Sequence, residues 1–144
     1  MRKNNMNGYI NVLSKVLQGT EDAAGEMNAD FETMRQAIDN GAVGDLSQVD
    51  LQKIADNFQR GTDGYEDKLN QLEQASAPVR VLGKHKSLVA AYRVYTDACQ
   101  SMTDSLDVEH QTVDQAAFDE AEKTQENAMG KVTAAIQRIM SSPM

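Results

Sequence analysis

Val81, His85, Leu88, Tyr92, Tyr95, Cys99, Met102 and Leu106 step along the chain by four and three in strict alternation. That spacing puts all eight on one stripe of a helix, and the stripe must be laid against other helices for the segment to leave water. Leu82, Val89, Ala91 and Val94 widen the apolar arc. The segment is therefore expected at the centre of a bundle, or against a partner chain as well.

Three other stretches carry the same periodicity. The first helix is predicted over about residues 5–39, with Tyr9, Leu13, Val16, Thr20, Ala23, Met27, Phe31, Met34 and Ile38 on one face and Asn40-Gly41 as its stop. The second is predicted over about 47–75. Ser47 caps it, Asp50 favours the dipole of its first turn, and Leu51, Ile54, Phe58, Gly61, Tyr65, Leu69 and Leu72 form its seam. Gly61-Thr62-Asp63-Gly64 interrupts this helix, each glycine costing about 1 kcal/mol relative to alanine. A kink is expected there, or a break with Asp63 and Glu66 capping a new start; Phe58 and Tyr65 staying in phase favours the kink.

The third helix is predicted over about 78–106, with Pro78 at its first position after Gln74-Ala75-Ser76-Ala77. The fourth covers about 112–140, where Thr112 and Gln115 make a capping box and Val113, Ala117, Ala121, Thr124, Ala128, Val132, Ala135 and Ile139 the seam. Short connections force antiparallel neighbours. The fold class is all-α, an antiparallel up-and-down four-helix bundle forming one domain over 1–144.

A formal net charge of −8 argues against a nucleic-acid partner, since phosphate neutralisation needs clustered Lys and Arg. The start Met1-Arg2-Lys3 lacks the apolar run of a signal peptide and no stretch is apolar enough for a membrane span, so a cytoplasmic location is expected. Two His, one Cys and no Glu-x-x-His motif leave neither a di-metal centre nor a zinc site, and no metal or cofactor is expected. Cys99 sits in the seam and reads as a small buried hydrophobe. The carboxylates Asp119, Glu120, Glu122 and Glu126 read as a solvated face of the fourth helix. Catalytic residues are expected to be absent.

One local rule is broken. Arg80, Lys84, His85 and Lys86 cluster in the first turns of the third helix, where cations oppose the dipole. Either an anion or an acidic partner is held there by these residues and the free backbone N–H groups, or the acidic second and fourth helices neutralise the charge. Two functions follow. The first is a non-catalytic bundle acting through protein–protein contact, a homodimer through the third helix being one form. The second is a small-ligand or anion sensor with a pocket near the start of the third helix, lined by His85, Tyr92 and Tyr95.

Overall fold

The computed structural model describes residues 5–142, so Arg2, Lys3 and the terminal Pro143-Met144 lie outside the described residues. It contains α1 (Asn5–Asp39), α2 (Gln48–Gln74), α3 (Leu82–Asp104) and α4 (Gln115–Met140). Side-chain bonds between helices fix their directions. Asn57 Nδ2 donates to Asp30 at 2.8 Å across α1 and α2, and Gln59 and Gln100 exchange amide hydrogen bonds of 3.0 and 2.9 Å across α2 and α3. Arg35, near the end of α1, holds Asp119 and Glu122 in the first turns of α4 at 2.9 and 2.6 Å. Successive helices run antiparallel, as the connection lengths require.

Two helix ends follow from single residues. Gly41 takes a φ of +64°, and the Ala42 N–H reaches back to the Ala37 carbonyl at 2.7 Å, closing α1 in a Schellman turn that glycine enters without a Cβ penalty. Ser47 Oγ accepts from the Asp50 N–H at 3.0 Å and starts α2.

Other boundaries move. Pro78 precedes a single 3-10 turn, Val79–Val81, and α3 proper begins at Leu82. Its far end stops at Asp104, because Leu106–Asp107 and Thr112–Val113 pair as a small antiparallel ribbon, β1 and β2, with Leu106 opposite Val113. Thr112 is thereby taken into a strand and cannot cap α4. Asp114 does so instead, accepting from the Ala117 N–H at 3.1 Å, and Phe118, not Ala117, is the residue that α4 buries in its first turn.

No break occurs at Gly61-Gly64, since α2 is helical from Gln48 to Gln74. The reason for Gly61 lies on the neighbouring helix. A Cβ built there would collide with Sδ and Cε of Met27 on α1, so the missing side chain makes room for a methionine. Gly64 has no such neighbour, its nearest being the end of Lys68 at 3.7 Å.

Packing is uneven around the bundle. The buried faces of α3 and α4 carry Ala91, Ala98, Ala121, Ala128 and Ala135, and small side chains let two helix axes come close. These two make the most extensive helix contact, whereas α1 and α4 touch least among the neighbouring helix pairs. The core divides accordingly. One cluster joins Tyr9, Leu13, Leu69, Leu72, Leu88, Tyr92, Val132 and Ile139; the other joins Met34, Ile38, Leu51, Ile54, Phe58, Met102 and Phe118. Met27 packs, half-buried, against both.

Gly64→Ala is expected to stabilise the protein by up to about 1 kcal/mol, the helix-propensity difference. Gly61→Ala should fall well short of that gain or reverse it, because Met27 must move. Equal shifts of the two variants in urea denaturation would disprove this reading of Gly61.

Candidate functional site

Between Thr20 and Met34, α1 buries no residue fully, although Ala23, Met27 and Phe31 continue its apolar seam. They are half-exposed because α4 stands away from α1 at this level. The gap opens into a cavity of about 250 Å³ at the boundary between the two cores. Its floor is buried and comes from α2 and α3: Phe58, Thr62 and Tyr65 from one, Tyr95, Cys99, Met102 and Thr103 from the other. Its rim is Ala24, Met27, Asn28 and Phe31 of α1 facing Glu122, Gln125 and Glu126 of α4.

The floor has defined chemistry. The Tyr95 hydroxyl donates to that of Tyr65 at 3.3 Å, and the two rings meet edge to face with centroids 5.0 Å apart. Thr62 and Thr103 donate their hydroxyl protons to the Phe58 and Cys99 carbonyls, each at 2.9 Å, so their oxygens offer only lone pairs to anything in the cavity. Burial pushes the Cys99 thiol up to about 12, although a hydrogen bond to Tyr95 works the other way. Burial likewise raises the Tyr65 phenol to about 12, and Tyr95 is displaced further in the same direction. All three stay neutral at ordinary pH.

The rim is acidic. Glu122 is held by Arg35, whose guanidinium also lies over the Phe118 ring, 5.4 Å from its centroid. Burial pulls the Arg35 pKa down, but hydrogen bonds to Asp119, Glu122 and Asp39 outweigh it and hold the charge firmly on. Glu126 is exposed and has no ion-pair partner among the described residues. Gln125 turns its Nε2 to the Met102 sulfur at 3.6 Å and keeps its carbonyl oxygen unengaged. No Lys, Arg or His lines the cavity. The carboxylates of α4 are thus divided between an ion pair closing the α1–α4 seam and a cavity edge, and are more than a solvated face.

The residues expected to form a pocket separate. Only Tyr95 lines this cavity. Tyr92, 1% exposed, stands behind it in the core with its hydroxyl 2.7 Å from Thr20 Oγ1. His85 lies ten residues before Tyr95 on α3, about 15 Å along the helix axis, where its Nδ1 is 2.7 Å from the Tyr9 hydroxyl and its ring also bonds the Leu72 carbonyl. The basic residues diverge from it. Lys86 and Arg80 are exposed, and Lys84 donates to Ser142 Oγ at 2.7 Å, so His85 does not converge with them on one anion. Of the cations on α3, Arg93 forms an ion pair with an acidic neighbour, Glu73 of α2. Asp107 and His110 close the turn of the ribbon: Asp107 accepts from the His110 N–H at 3.1 Å and faces its Nδ1 at 2.9 Å, which holds the Asp107 carboxyl below the usual range.

Among the described residues no helix is long and apolar enough to cross a membrane, and no three His, Cys, Asp or Glu side chains gather where they could hold a metal ion. Compared with known proteins, the chain matches no family model, no curated protein and no solved structure.

Burial lowers the pKa of His85, against the smaller upward pull of the Leu72 carbonyl. The unfolded chain then takes up a proton before the folded one, so the contribution is complete above about pH 6.5 and is lost as pH falls below it. Melting temperatures of the protein and of His85→Gln, measured from pH 8 to pH 5, should converge on acidification. Parallel curves would refute the assignment.

Proposed function

We propose that this is a non-catalytic small-ligand-binding protein, a carrier or sensor, whose ligand occupies the cavity between α1 and α4. One observation carries the reading: a half-open cavity of about 250 Å³ with an aromatic and sulfur-rich floor stands where the apolar seam of α1 should have been closed. A dry cavity of about 150 Å³ holds benzene, so this one suits a single ring with a short substituent. Concave, mostly apolar sites with a few directed polar groups are the usual form of small-molecule sites. The chemistry favours binding over reaction. A thiol displaced to about 12 is almost wholly protonated and therefore a poor nucleophile, and His85 is too distant to take its proton.

A second reading, protein–protein contact through the outer side of α3, has in its favour the exposure of Leu82 at 40% and Val94 at 48%.

The ligand reading is tested with 2-phenylethanol, a neutral single-ring probe. In protein labelled at its methionine methyl groups, titration should shift the Met27 and Met102 signals and leave Met6 unmoved. Ala24→Phe, which places a ring at the cavity mouth, should remove the response while keeping the melting temperature. Shifts confined to Met6, or a response unchanged by Ala24→Phe, would reject this site.

A further inference from the structure

We infer that the cavity selects a cationic ligand, an ammonium group carried on one aromatic ring or a comparably small apolar body; this rests on the ligand-binding reading above. Three independent features of the walls agree. First, two of the four buried hydroxyls of the floor, Thr62 and Thr103, have committed their protons to backbone carbonyls and present acceptors only, and the Tyr95 hydroxyl proton goes to Tyr65. A carboxylate or other acceptor seated on this floor would meet lone pair with lone pair in a place where unpaired polar atoms are costly. Secondly, the Gln125 carbonyl oxygen and the Glu126 carboxylate have no partner among the described residues, and no cation among the lining residues competes for them. An anion entering here would face Glu126 with no lining cation to neutralise it, while Glu122 is already paired with Arg35. Thirdly, the Tyr95 ring lines the cavity beside Gln125 and Glu126, and a cation near the face of such a ring is attracted by its quadrupole.

The two ends of the ligand are placed by the same walls. Phe58, Met102 and Cys99 make the inner part apolar, so the hydrocarbon body goes inward. Glu126 is exposed and near the entrance, so the ammonium remains partly hydrated and its desolvation is limited. This orientation also separates the inference from simple surface attraction: the charge contributes only when the ring is seated.

The experiment is a charge series on one skeleton, measured by calorimetric titration of the full chain: 2-phenylethylamine, 2-phenylethanol and 3-phenylpropionate. The amine is expected to bind at least about tenfold more tightly than the alcohol, the scale of one partly desolvated cation–π or ion-pair contact, and the carboxylate most weakly. Glu126→Gln should remove most of the amine's advantage over the alcohol, and an unchanged melting temperature shows that the variant is folded. Ala24→Phe should abolish binding of all three. Alcohol equal to amine, or carboxylate tightest, overturns the cation selectivity and leaves the cavity reading standing. Amine binding that survives Ala24→Phe places the charge contact outside the cavity and also overturns the inference. If none of the three binds, the ligand-binding reading itself fails, and this inference with it.

Discussion

Everything in this bundle depends on how closely α4 approaches α3. Alanines at 91 and 98 on one helix and at 121, 128 and 135 on the other allow a contact that larger side chains would hold apart. A four-helix bundle cannot close all its seams equally when one of them is so narrow. The other seam of α4, with α1, is joined by the Arg35 cluster at one end and by the apolar residues around Tyr9 and Ile139 at the other, and stays open between. The cavity is the remainder of that geometry.

Much of the architecture could be read from residue order alone. The alternating stripe of α3 is buried along the whole helix, Ser47 and Gly41 act at their helix ends as their chemistry demands, and the antiparallel order follows from short connections. The errors have physical causes. Two residues per strand are too few to show a period of two, so the ribbon at Leu106–Val113 reads as a loop, and Thr112 then looks like a cap. Gly61 and Gly64 look alike in sequence, yet only Gly61 faces a methionine of another helix, a fact that no local rule contains.

The site was the least legible part. Periodicity states which face of α1 is apolar but not how far away the opposing helix stands, so Met27 and Phe31 read as core when they form a wall. Adjacency misled in the other direction. Lys84, His85 and Lys86 are consecutive, and consecutive helical residues point about 100° apart, so a cluster in sequence becomes a divergence in space. Tyr95 was found because seam aromatics are few. For the rest the signal is Glu122 and Glu126 of α4 standing opposite the apolar seam of α1 at Met27 and Phe31, visible only once the two helices are known to face each other.

The division of the core into two clusters has a consequence for how the molecule comes apart. Each of the four helices passes through both clusters, so neither cluster belongs to a separate stretch of chain. Split at the level of the cavity, α3 leaves a stub of about six residues from Cys99 to Asp104 and α4 one of about nine from Gln115 to Lys123, too short for an isolated helix to hold in water. Losing one end therefore removes the rods on which the other is built. The gap lowers the total stability without dividing it, and the chain unfolds as a single cooperative unit with a hollow at its waist.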